Sequence, residues 1–201
     1  MKLGLLTDIH EHTDNLSKAL FVLSEQQVDQ IVVLGDLVES GQNLDETCRL
    51  LADAKAIGVW GNHDFLLCTS PSRQNQKKFS PLTLQFMATL SARLTIEDCY
   101  LSHIEPWLNP ECLEDLWYFE GAPKSGRNLK RIFAAVPQRV LMMGHYHKWM
   151  LATEQEIIAW QGERPVSIEN DRHFVVLGPL CRGHFAVYDT DTSLLAPFSV
   201  Y

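Results

Sequence analysis

Lys2-Leu3-Gly4-Leu5-Leu6-Thr7-Asp8-Ile9-His10 is a short apolar run that stops on two side chains able to ligate a metal. An apolar run of this length bounded by polar residues predicts a buried strand over Lys2 to Thr7. Asp14 to Gln27 follows, with Leu16, Leu20, Val22 and Leu23 at roughly helical spacing and Asp14 as the expected N-cap. Ile31-Val32-Val33-Leu34 predicts a second buried strand, stopped by Gly35-Asp36, and Leu44 to Lys55 a second helix. Ala56 to Trp60 predicts a third strand, stopped by Gly61-Asn62. Strand, helix, strand, helix, strand is the pattern of a parallel sheet with crossover helices, so the chain opens as an α/β protein.

The middle is less regular. Thr69 to Ser80 is polar and basic, with Arg73, Lys77 and Lys78, and reads as an exposed loop. A helix is expected from about Pro81 to Leu94, then a strand ending near Ser102-His103. Glu111 to Val136 should hold at least one helix, interrupted around Gly121 to Gly126. Val140 to Met143 predicts a further strand, again ending on glycine, Gly144. Beyond His147, strands are expected at Trp149 to Thr153, Ile157 to Trp160, Phe174 to Leu177 and His184 to Tyr188. No repeat or linker divides the 201 residues, which suit a single domain.

The metal-capable residues fall at the ends of these strands. Asp8 and His10 follow the first, Asp36 the second, Asn62 and His63 the third, His103 a later one, and His145 with His147 another. Ligands collect in the crevice beyond the carboxyl ends of parallel strands. Divalent ions of hard or borderline character accept carboxylate oxygen and neutral imidazole nitrogen. Two such ions about 3.5–4 Å apart need a shared ligand, which a carboxylate can supply. Each Asp-x-His or His-x-His alone is commonplace; their order, each at a strand end and most preceded by glycine, is not.

Composition narrows the alternatives. The hydrophobic fraction of 46% and charged fraction of 21% are ordinary for a globular protein. A net charge of −8 argues against broad affinity for nucleic acid or anionic membranes. Five scattered cysteines with no C-x-x-C pair suggest reduced thiols in the cytoplasm rather than a disulfide framework. No apolar run approaches a membrane span, and the start does not resemble a signal peptide.

The ordered blocks Asp8-Ile9-His10, Gly35-Asp36, Gly61-Asn62-His63-Asp64, His103 and Gly144-His145-Tyr146-His147 resemble those of the calcineurin-like metallophosphoesterase family. The resemblance runs from residue 1 to about 150. It implies a four-layer α/β/β/α sandwich, the metallo-dependent phosphatase fold, with a dinuclear site for Mn, Fe, Zn or Ni. One metal would take Asp8, His10 and His147, the other Asn62, His103 and His145, with Asp36 bridging. A hydroxide held between the metals would attack phosphorus, and His63 would assist the leaving oxygen rather than bind metal.

Three departures matter. His103 lacks the glycine that usually follows the lone histidine, though no other histidine lies between His63 and His145. Glu39 and Ser40 stand where the protein-phosphatase branch has aspartate and arginine. Losing that arginine removes a bidentate phosphate clamp, while Glu39 is a candidate to orient His63, and Asp64 a candidate outer support. Glu11 and His12 replace a usual glycine and asparagine, with His12 expected at the rim.

Substrate contacts are open at this level. Residues 71–80 could recruit phosphate or be a solvated loop. Trp107, Trp117, Tyr118 and Phe119 could stack on a base or aryl group, or pack over the sheet edge. Arg182, Asn62 and His63 are candidate substrate contacts, whereas His173 looks exposed. The expected function is metal-dependent hydrolysis of a small phosphodiester or phosphomonoester. A protein phosphatase, a nuclease and a non-catalytic interaction scaffold are the alternatives. No nucleic-acid or membrane partner is signalled.

Overall fold

In the computed structural model, which describes residues 1–124 and 126–201, side chains along the first strand alternate between two different cores. Leu3 and Leu5 face one set of neighbours and Leu6 the other, all fully buried. Each such burial contributes about 1.5–3 kcal/mol.

The order of elements is β1 (Lys2–Leu6), α1 (Thr13–Glu25), β2 (Gln30–Leu34), α2 (Leu44–Asp53) and β3 (Ile57–Val59). Then come α3 (Phe65–Thr69), α4 (Arg73–Lys78), α5 (Pro81–Met87), β4 (Leu94–Ile96) and β5 (Cys99–Leu101). They are followed by α6 (Leu113–Leu116), α7 (Gly126–Ala135), β6 (Val140–Met143), β7 (Met150–Ala152) and β8 (Ile157–Ile158). The chain ends with β9 (Val166–Ser167), β10 (His173–Val176), a 3-10 turn at Leu180–Arg182, β11 (His184–Asp189) and β12 (Leu194–Ser199).

Two six-stranded sheets result, ordered β3-β2-β1-β11-β12-β9 and β4-β5-β6-β10-β7-β8. β1, β2 and β3 are mutually parallel, and so are β5, β6 and β10; the others join antiparallel. Leu3, Leu5, Val32 and Leu34 from one sheet pack against Leu101, Val140, Met142 and Val175 from the other. The outer face of the first sheet, with Leu6 and Val33, is covered by Leu16 and Leu23 of α1, Leu51 of α2 and Phe86 of α5. Leu129, Ile132 and Phe133 of α7 cover Leu141, Met143 and Phe174 on the second. This is the expected four-layer α/β/β/α sandwich.

Local expectations fail where the apolar period is weak. Thr69 to Ser80 holds helix α4 rather than only loop, its N-terminus capped by Ser72 accepting from the Asn75 N–H at 3.1 Å. No residue of α4 is buried, so the segment carries no periodic signal. α5 stops at Met87, short of Leu94, because the chain beyond it pairs with the sheet edge: Ser91 exchanges backbone bonds with Gly58 and Trp60. α1 takes His12, not Asp14, at its N-cap. The interruption expected between Gly121 and Gly126 includes residue 125, which lies outside the described residues. β9 and β12 are additional strands; Pro197 in β12 stands beyond the reach of β9, on an open edge where strands tolerate proline. His173 is buried on β10, not exposed, with Nδ1 2.9 Å from the Asp171 carbonyl. No described helix is long and apolar enough to cross a membrane.

Candidate metal centre

The loops after β1, β2, β3, β5 and β6 converge on one rim, and each delivers side chains with donor atoms. Asp8, His10, Asp36, His145 and His147 all have positive φ, between 45° and 68°. Non-glycine residues pay roughly 1–3 kcal/mol each for such a backbone, and strain of this kind gathers at functional sites. Backbone bonds hold the turns in place: the Asp8 N–H donates to the Gly35 carbonyl and the His10 N–H to the Asp36 carbonyl, both at 3.0 Å. Gly61 and Gly144 are required by close approach rather than by φ. A Cβ at Gly61 would strike the Asp36 carboxylate, and one at Gly144 the Thr7 hydroxyl.

Two donor groups form, and they share Asp36. The first joins Asp8, His10, Asp36 and His147; the second joins Asp36, His103 and His145. In the first, His10 Nε2 and His147 Nε2 are 3.2 Å apart, and His147 Nε2 is 3.2 Å from Asp8 Oδ1. Asp36 Oδ2 lies 3.7 Å from His10 Nε2 and 3.3 Å from His103 Nε2. Asn62 Oδ1 completes the second group, 3.1 Å from His103 Nε2 and 3.0 Å from His145 Nδ1. Imidazole nitrogens and carboxylate oxygens aimed at common points are the donor set of a divalent cation. The site therefore fits metal.

The electrostatics carry the same sense. Burial opposes ionisation of Asp36, but the charge and hydrogen bond of His103 outweigh it and hold the carboxyl well below the usual range. At His103 burial is likewise overcome, chiefly by Asp36, and the imidazole stands up at about 9. His147 is raised to about 10, first through its bond to Asp8. Burial, reinforced by the charge of His103, pushes His145 down to about 4. The neighbouring carboxylates thus favour positive charge at His103 and His147, the electrostatic condition that a bound cation meets.

His63 is exposed at the rim. Its N–H donates to Asp36 Oδ1 at 3.1 Å, and its ring lies 5.0 Å from that of His10. Glu39 engages His10 rather than His63: its Oε2 is 2.9 Å from His10 Nδ1. His10, Glu39 and His63 still offer donor atoms within 4.8 Å of one another. Asp64 is fully buried and accepts from the N–H groups of Leu37, Val38 and Gly61, tying the β3 turn to the β2 turn.

Two acidic anchors escape a reading by motif. The buried Glu11 carboxylate accepts from the N–H groups of Glu39, Gly41, Gln42 and Asn43, and from the Ser40 hydroxyl. Burial works against its charge, but those N–H groups prevail and lower its pKa. Glu105 receives Trp107 Nε1 and Tyr146 Oη, fixing the aromatic segment to the β6 turn. No local pattern signals these pairings, since Glu11 lies 28 to 32 positions from its backbone donors and Glu105 41 from Tyr146.

The aromatics divide. Trp117 and Phe119 are more than half exposed, yet their rings lie 5.2 Å from His63 and 5.8 Å from His145. Trp107 instead packs on Tyr118 and under the Arg131 guanidinium. In the basic segment, Lys78 Nζ donates to the Ser40 carbonyl at 3.1 Å, a bond within the fold. Arg182 reaches the carbonyl of His147 at 3.4 Å. His12 is exposed, as expected.

Comparison with known proteins gives the same picture. Residues 1–192 match the model described as the calcineurin-like phosphoesterase superfamily domain. A phosphodiesterase of Methanocaldococcus jannaschii is 29% identical over 73 residues, 34% of this chain and 39% of that protein. An uncharacterised protein of the same archaeon is 27% identical over 82 residues, 41% of this chain and 34% of its own length. These matches thus span well under half of either relative. A metallophosphoesterase from Sphaerobacter thermophilus shares the fold across 100% of this chain and 88% of that one, with a TM-score of 0.80 at 21% identity.

Proposed function

Because the chain belongs to the calcineurin-like phosphoesterase superfamily, we propose that it is a metal-dependent hydrolase of a small phosphodiester or phosphomonoester. The observation that carries this reading is the pair of donor groups sharing Asp36, with His63 exposed beside them. On this reading Asp8, His10, Asp36 and His147 hold one divalent ion, and Asp36, Asn62, His103 and His145 a second. Manganese, iron, zinc and nickel all suit these oxygen and nitrogen donors. Bound there, such ions lower the pKa of water and neutralise charge on phosphoryl oxygens.

The chain's own groups do the rest. Asn62 adds a neutral oxygen, so charge on the metals is left to face phosphate. His63 stands outside the two groups and can give a hydrogen bond or proton to the departing oxygen. Glu39 brings its Oε2 to 2.9 Å from His10 Nδ1, a charged contact that favours the ring orientation with Nε2 directed inward. Ser40, bonded to Glu11, offers no phosphate clamp, which favours a small ester over a phosphoprotein. A diester is favoured by the exposed Trp117 beside His63, a surface for an aryl or base leaving group. A cytoplasmic location is proposed with it, supported by five free cysteines.

The test is turnover of bis(4-nitrophenyl) phosphate and 4-nitrophenyl phosphate by metal-reconstituted protein, beside His63→Ala. A positioned general acid contributes about 10²–10⁴-fold, so the variant should lose that much in kcat while keeping its metal. No turnover by wild-type protein carrying its full metal complement would sink the proposal and leave the scaffold reading.

A further inference from the structure

His147 belongs to the first donor group and also lines a cavity of about 590 Å³. That volume lies in the range of small-molecule sites. The same cavity is lined by Lys148, Trp149, Trp160, Arg182 and His184, and among the described residues no aspartate or glutamate lines it. In a chain of net charge −8, a cleft with two cations and no acid is selective for anions.

Arg182 is the more telling cation. Arg49, Arg93, Arg131, Arg139, Arg164 and Arg172 each pair with a carboxylate. Arg182, like Arg73 on the exposed α4, has no carboxylate partner among the described residues; it donates to the His147 carbonyl at 3.4 Å. Its guanidinium keeps a fork free for a phosphate beside the centre. Lys148 is exposed and lines the same cleft.

Beyond the cations the wall is aromatic. The Trp149 ring lies 5.4 Å from Trp160 and 6.1 Å from His184. Gly162 and Gly178 close on the indole, where a Cβ at either position would strike it. Trp160 is buried and donates Nε1 to the Arg164 carbonyl at 2.8 Å. These contacts make the wall rigid before any ligand arrives, which lowers the cost of stacking a planar ring on it.

We infer that the cleft beside His147 is a subsite for a nucleoside phosphate, with phosphate on Arg182 and Lys148 and the base against Trp149. It deepens the proposed function and rests on it for the reaction: the ester would span from the metal centre into this cleft, with its leaving group towards His63.

Titration calorimetry of adenosine 5′-diphosphate and of inorganic pyrophosphate into the full metal-loaded chain tests this. The nucleotide should bind at least tenfold more tightly than pyrophosphate, because pyrophosphate has no ring for the wall. Arg182→Gln should weaken nucleotide binding by about tenfold, the expected loss of a charge-assisted bond, and Lys148→Gln should weaken it further in the double variant. Both side chains are exposed, and the unchanged melting temperature of each variant would certify the fold. Pyrophosphate binding equal to that of the nucleotide would overturn the assignment. So would equal nucleotide binding by wild type and double variant, or loss of binding in Trp117→Ala alone. The two proposals fail separately: Arg182-dependent binding without ester turnover supports the subsite while ending the hydrolase reading, and aryl-ester turnover without nucleotide binding ends the subsite alone.

Discussion

The Trp117 indole stands 5.2 Å from the His63 imidazole, tilted by 49°, at the open edge of a site whose His10 and His103 rings are buried. The ring that would serve the leaving oxygen thus has an apolar platform beside it. Removing that platform should matter only for leaving groups that can use it. Trp117→Ala should lower kcat/KM for 4-nitrophenyl esters by about two- to tenfold, the worth of a good aromatic contact. Glycerol 2-phosphate, followed by phosphate release, reacted beside 4-nitrophenyl phosphate provides the comparison, and an equal loss for the alkyl ester would refute the stacking role.

Asp36 is the residue common to both donor groups, so its loss should not be compensated by neighbours. Asp36→Asn keeps the size but gives up the charge and the second anionic oxygen. Metal content after reconstitution, measured by plasma emission, should fall from about two equivalents to one or fewer. In the wild-type protein, metal at 100 times its dissociation constant should add about 2.7 kcal/mol to stability. That increment should shrink in Asp36→Asn, as read by thermal melts with and without chelator.

Glu11 gathers four backbone N–H groups from residues 39–43 and sets where Glu39 meets His10. Glu11→Ala leaves those donors without their acceptor and should cost about 1–3 kcal/mol by urea denaturation. Glu11→Gln retains one acceptor oxygen and should cost less. Both should reduce activity through the displaced Glu39, and a stable, fully active Glu11→Ala would show that the turn holds itself.

The buried thiols give a pH test remote from the site. Burial pushes Cys48 and Cys99 up to about 12 from an ordinary 9.0. Because the thiolate is the reactive form, neither should react with Ellman's reagent at pH 8 until the protein unfolds. The folded state holds these protons more tightly than the unfolded chain. Stability should therefore be unaffected below about pH 9 and fall as pH rises from there towards 12. Equilibrium unfolding at pH 7, 9 and 10.5, with Cys99→Ala as a comparison, reads the slope.

Much of the fold was legible because its core strands are fully covered. β1, β2, β3 and β6 are short apolar runs punctuated by Gly or Asp, and they lie where the punctuation puts them. α4 and β12 were missed for opposite reasons. α4 buries nothing, so it leaves no apolar period, and β12 contains a proline that suits its edge position but argues against a strand. His173 was misjudged because its neighbours in sequence are polar, while its burial comes from the sheet that β10 joins.

By itself the sequence determined which residues could hold metal, since donor chemistry and strand-end glycines are local properties. It also determined the α/β order that carries Asp8, Asp36 and Asn62 to one rim. Tertiary structure alone decided that Asp36 stands between the two groups, that Glu39 turns to His10 rather than His63, and that Glu11 ties the β2 turn. It also decided that Arg182 reaches the His147 carbonyl and meets no carboxylate among the described residues. The reason is physical: which carboxylate faces which imidazole depends on left-handed turns and on two sheets meeting across a shared core, and neither leaves a pattern in any one segment.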